Sequence, residues 1–141
     1  MDIVTRRLHE LTSKARLQEY SEVLTRIIED IYSSDCKLYF REDEDIRSSH
    51  SRLEDDCYIR VSLKKGVYKM KEHVIWVILH EFGHHFQNSM AEELTDREIR
   101  YEKEKNAWDF AERKFEEYKF SKDLMGNFIE CRDMYLQTYL S

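Results

Sequence analysis

Residues 69–88 leave little freedom in how this chain folds. Val74, Ile75, Trp76, Val77, Ile78, Leu79, Phe82 and Phe86 make that segment a helix that is apolar on nearly every side. Such a helix belongs at the centre of a domain rather than on its surface. Yet the same helix carries His80, Glu81 and His84, and a buried, unpaired Glu is expensive. The rest of the chain must therefore wrap this helix and also supply partners for its polar groups. Gly83 sharpens the demand. Glycine inside a helix costs roughly 1 kcal/mol relative to alanine, so its presence calls for a packing or functional reason, such as room for another segment to approach.

The remaining segments read as follows. Residues 2–32 form one helix, in which Ile3, Val4, Leu8, Leu11, Ala15, Val23, Leu24, Ile27, Ile28 and Ile31 recur at helical steps. Residues 36–40 are short and apolar and suit a strand. Residues 41–56 are polar and acidic without a clear period and read as a loop. Residues 57–63 alternate as a half-buried strand, with Cys57, Ile59, Val61 and Leu63 on one face and Tyr58, Arg60 and Ser62 on the other. A polar linker over 89–95 precedes a charged helix over 96–119. A last helix spans 122–140, with a bend near Gly126 and Asn127. The expectation is one α+β domain over 1–141, mostly helical, with a sheet of two or three strands.

Composition narrows the function classes. The 141 residues suffice for one compact domain and are too few for two ordinary ones. A net charge of −6 advertises no surface for nucleic acid or anionic membrane. The longest apolar run, 74–79, is far short of the roughly 20 residues a spanning helix needs. The first residues lack the apolar core of a secretory signal. Cys36, Cys57 and Cys131 are odd in number and widely spaced. They read as reduced thiols of a cytoplasmic protein, not as a disulfide framework or a paired zinc knuckle.

The chemistry lies in His80-Glu81-Phe82-Gly83-His84, an HExxH pattern. Positions i and i+4 share a helix face, so both imidazoles can address one metal ion. Neutral imidazoles suit zinc, and Glu81 is placed to take a proton from an activated water. A catalytic zinc needs a third protein ligand and an open position. No histidine follows His85, and Gln87 and Met90 break the metzincin extension. A carboxylate of the third helix is left: Glu98, Glu102, Glu104, Asp109 or Glu112.

Residues 104–111, Glu104-Lys105-Asn106-Ala107-Trp108-Asp109-Phe110-Ala111, resemble the Glu-x-x-Ala-(Asn/Asp)-x-Phe-Ala segment of ImmA/IrrE-type metallopeptidases. The resemblance covers about residues 57–111 and is good at these motifs alone. It implies a minimal zincin-like fold, one zinc per chain held by His80, His84 and Glu104, and Glu81 as general base. It also implies a specific cytoplasmic protein substrate, transcriptional regulators included. The chain departs from the family at Trp108, where a polar residue usually supports a ligand histidine. Glu102 is the next ligand candidate.

Other groups carry weaker expectations. His73 lies near the same face as His80, His85 points about 100° from His84, and His9 and His50 read as surface residues. Tyr101 is a candidate oxyanion donor, and the strand at 57–63 is a candidate surface for pairing with an extended substrate. Two other functions compete with a peptidase. One is a catalytically silent metal-binding regulatory module, for which Cys131 would be a fourth ligand. The other is a metal-free helical interaction domain.

Overall fold

The structure is a computed structural model that describes residues 2–53, 56–87 and 97–139. The linker expected over 89–95 lies outside the described residues. Five α-helices and a three-stranded sheet are present among them: α1 (Ile3–Lys14), α2 (Ser21–Ser33), β1 (Lys37–Arg41), β2 (Ser48–Leu53), β3 (Asp56–Ser62), α3 (His73–His85), α4 (Arg97–Glu117) and α5 (Met125–Gln137). The α+β class expected from the pattern is what is found. No helix among the described residues is long and apolar enough to cross a membrane.

The N-terminal region differs from the single helix expected. Arg16 takes a left-handed conformation (φ 58°), and a short 3₁₀ turn over Gln18–Tyr20 leads into α2. One helix over 2–32 would run about 46 Å, too long for its whole apolar stripe to lie on one small core. Breaking at Arg16 folds α2 back on α1 and buries Leu11 and Leu17 with Leu24, Ile27, Ile28 and Ile31.

The sheet has the order β1-β3-β2, with β3 in the middle, parallel to β1 and antiparallel to β2. The segment expected as a loop thus contains a strand, β2. The pairings Leu38↔Ile59, Phe40↔Val61, His50↔Ile59 and Ser48↔Val61 put these side chains on one face. Leu38, Ile59 and Val61 on that face are buried, and α3 packs against β2 and β3. Because β3 is paired on both sides, it is not a free edge for a substrate strand. β2 is an edge strand, with no partner beyond it among the described residues.

α3 occupies the centre, as its composition demands. Every residue from His73 to Gly83 is buried. Trp76 packs among Phe115, Phe120 and Phe128, with ring centroids 5.0–5.5 Å away. Its indole N–H donates to Asn127 at 2.8 Å. The expected bend falls just ahead of Gly126 and Asn127, where a 3₁₀ turn over Lys122–Leu124 passes into α5. α4 crosses α3 at Gly83. A Cβ there would stand 2.8 Å from the Ala107 carbonyl oxygen and 3.1 Å from Ala107 Cα. The glycine is what lets α4 lie this close, and Glu104 is one turn earlier on α4.

Candidate metal centre

His80 and His84 project from α3 into an open cleft of about 470 Å³ that is also lined by Ser48, Glu81, Gln87, Glu104, Tyr135 and Tyr139. Three donor atoms meet there. Glu104 Oε2 is 2.6 Å from His80 Nε2 and 3.0 Å from His84 Nε2, and the two nitrogens are 3.1 Å apart. Tetrahedral zinc ligands at about 2.0–2.1 Å sit about 3.3 Å from one another, so this triangle is close to a three-ligand set. Glu81 is a different kind of neighbour. Its Oε2 lies 3.5 Å from His80 Nδ1, the nitrogen turned away from the triangle. It accepts a hydrogen bond from Ser48 Oγ at 2.6 Å. Glu104 is therefore the carboxylate on the metal side, whereas Glu102 is exposed.

The tautomer of His84 follows from its neighbour. Gln87 Nε2 donates to the Lys103 carbonyl at 2.7 Å, which turns its amide oxygen towards His84. His84 Nδ1–H donates to that oxygen at 2.7 Å, leaving the Nε2 lone pair free for a cation. The second oxygen of Glu104 accepts from the Tyr139 hydroxyl at 3.1 Å. His80 is held differently. The Trp108 ring stacks on it with centroids 4.6 Å apart and planes 15° apart. His80 Nδ1 and Trp108 Nε1 are both buried without a hydrogen-bond partner, and Asp109 is exposed. Stacking thus stands where a polar support was expected.

Without a cation the cluster is a proton-sharing network. Burial opposes charge on His80, but the Glu81 and Glu104 carboxylates outweigh it and raise its pKa to about 9. Burial likewise opposes ionisation of Glu104, but the hydrogen bond from His80, with His84 close by, holds it well below the usual carboxylate range. Glu81 is lowered too, the His80 charge overcoming burial. These groups have the composition of a cation site and carry a proton in its place.

Several residues met different fates from those expected. Tyr101 is not among the residues lining the cleft; Tyr135 and Tyr139, from α5 and just beyond it, are. His73 is packed in the interior, as an ordinary packing role would have it, away from the cleft and with its Nε2 3.7 Å from Glu130 Oε1. Cys131 sits by the His73 carbonyl and not at the cleft. His50 is half-buried on β2, and burial lowers its pKa to about 4. Cys36 and Cys57 are free thiols, as expected, but their sulfurs lie 3.8 Å apart. Two groupings of His, Cys and Glu among the described residues can hold a metal ion: one around His80, Glu81 and His84, the other of Cys36, His50, Cys57 and His85.

Comparison with known protein families, with curated proteins and with solved structures finds no match to this chain.

Proposed function

We propose that the protein is a zinc-dependent metallopeptidase with a minimal zincin-like fold, of the ImmA/IrrE type that its motifs resemble. One observation carries the reading: His80 Nε2, His84 Nε2 and Glu104 Oε2 converge within 2.6–3.1 Å at the floor of an open cleft, with the Glu81 carboxylate beside them. His80, His84 and Glu104 would hold the ion. Zinc held there would supply an activated water near neutral pH and an electrophile for a carbonyl.

The chain's own residues do the rest. Glu81 takes the proton of the attacking water and passes it to the leaving amine. Ser48, donating to Glu81 Oε2, fixes where that carboxylate sits. Tyr135 and Tyr139 are kept protonated by burial, so their hydroxyls are available as donors to a developing oxyanion. β2 lies along the cleft, and its unpaired edge offers main-chain hydrogen bonds to an extended peptide. The substrate suggested by the resemblance is a cytoplasmic regulatory protein, a transcriptional regulator being the type case.

The test is Glu81→Gln, which keeps size and polarity but removes the base. Zinc-loaded parent and variant are incubated with a mixed-sequence peptide library, and new termini are counted by mass spectrometry. We expect zinc content to be unchanged and cleavage to fall by about 10²–10⁴-fold. Equal cleavage by the variant overturns the role of Glu81. Full zinc content with no cleavage by the parent favours the silent metal-binding module, a reading that has Trp108 on its side because an indole stands where a polar support was expected and His80 Nδ1 makes no hydrogen bond.

A further inference from the structure

At the C-terminal end of α3, four residues distant in sequence come together. Cys36 immediately precedes β1, His50 is on β2, Cys57 on β3 and His85 ends α3. The parallel register that pairs Lys37 with Tyr58 sets Cys36 opposite Cys57. The antiparallel register, which pairs His50 with Ile59 and Arg52 with Cys57, puts His50 on the same face as Cys57. Cys57 Sγ is 3.8 Å from Cys36 Sγ, 3.3 Å from His50 Nε2 and 2.9 Å from His85 Nδ1. One donor atom from each residue lies within 4.8 Å of all the others.

We propose that Cys36, His50, Cys57 and His85 form a second metal site, of the closed structural type, that takes zinc or a similarly thiophilic divalent cation.

Three features support this. First, tetrahedral zinc with sulfur at about 2.3 Å and nitrogen at about 2.0–2.1 Å spaces its donors by about 3.3–3.8 Å. The sulfur–sulfur distance already has that value, and the two Cys57 sulfur–nitrogen distances need outward shifts of well under about 1 Å. Second, the donor set holds no carboxylate. Two thiolates with two imidazoles select zinc over magnesium or calcium, and four protein ligands leave no position for water or substrate. Third, the outer nitrogen of His85 is pinned. Its Nε2–H donates to the Ser34 carbonyl at 2.7 Å, which leaves the Nδ1 lone pair facing the sulfurs, as backbone carbonyls do for metal-bound histidines. Arg52 donates to the His85 carbonyl and approaches Nδ1 at 3.3 Å, another sign that this nitrogen is the acceptor. Loading the site releases one proton from each thiol. It ties the end of α3 to all three strands and shares no ligand with the His80 centre.

Cobalt(II) is the probe. The full-length protein, reduced and freed of metal, is titrated with cobalt under argon. A thiolate-to-cobalt charge-transfer band in the near ultraviolet, with intense tetrahedral ligand-field bands and an end point of about one equivalent, is the expected result. The His80 centre has no sulfur and cannot give that band, so the two sites are read separately. His80→Ala should leave the band intact, and Cys36→Ser with Cys57→Ser should remove it and lower zinc content by about one per chain. If the serine variant does not fold, the unaltered protein still decides. The absence of the band at saturating cobalt overturns the proposal. So does a zinc content that stays the same when both cysteines are replaced in a folded variant. A band with no zinc lost on His80→Ala sustains this site and counts against the peptidase centre.

Discussion

His84 owes its orientation to Gln87, a residue outside the motif. Replacing Gln87 with Leu removes the acceptor for His84 Nδ1–H and frees the imidazole to rotate. We expect zinc binding at the His80 centre to weaken by about 10–100-fold in chelator competition, with the denaturation midpoint of the metal-free protein little changed. An unaltered affinity would show that the imidazole needs no such guide. Trp108 acts on His80 through its ring face. Trp108→Ala removes a fully buried indole, and a loss of about 3–5 kcal/mol is expected in denaturant unfolding. Trp108→Phe keeps an aromatic face and should retain most zinc affinity. None of this support was legible beforehand, because Gln87 is polar and lies past the end of α3. The His pair and Glu81 were legible from spacing on an apolar helix. Glu104 stood out from four other carboxylates by resemblance alone.

Among the elements, the α3–α4 crossing has the least slack. Gly83→Ala puts a Cβ 2.8 Å from the Ala107 carbonyl oxygen, a backbone atom. α4 must then move outward, and Glu104 with it. The expected outcome is destabilisation of about 1–3 kcal/mol, with weaker zinc binding in titration. A variant as stable and as metal-avid as the parent would mean that the close approach is dispensable. The sequence announced this crossing through the oddity of a glycine in a buried helix. It hid β2 completely. A strand over a hydrophobic core alternates apolar and polar residues, but the inward positions of β2 include Ser48, His50 and Arg52, which face Glu81, Cys57 and the His85 carbonyl. The strand that furnishes polar partners to the central helix looks like a loop for that reason. The Cys and His cluster was hidden by the same omission, since only strand pairing brings residues 36, 50 and 57 together.

For the whole molecule, the titrating groups set an optimum. The raised pKa of His80 gives the metal-free protein stability that is complete below 6.5, the ordinary histidine value, and lost as pH climbs through about 9. The buried thiols of Cys36 and Cys131, pushed up to about 12, act in the same direction above 9. On the acid side, His50 is neutral in the fold down to about 4, so its contribution is present above 6.5 and fades as pH falls towards 4. Burial lowers His73 in the same sense. The depressed carboxyls of Glu81 and Glu104 add a further loss below 4.5. The metal-free melting temperature should peak near pH 6.5 and decline on both sides. Zinc should flatten the alkaline decline by replacing the proton on His80. A flat profile from pH 5 to 9 without metal would contradict these assignments.

His84 and His85 are consecutive, and a helix turns about 100° between them. One is tethered through Gln87 to α4, and the other reaches across to the Ser34 carbonyl at the end of α2. The two tethers leave the same cylinder about 100° apart. α3 therefore cannot roll about its own axis to slacken one without straining the other. Its last turn behaves as a shaft keyed at two points, and motion that reshapes the cleft must come from the walls around it: β2, α4 and the tail of α5.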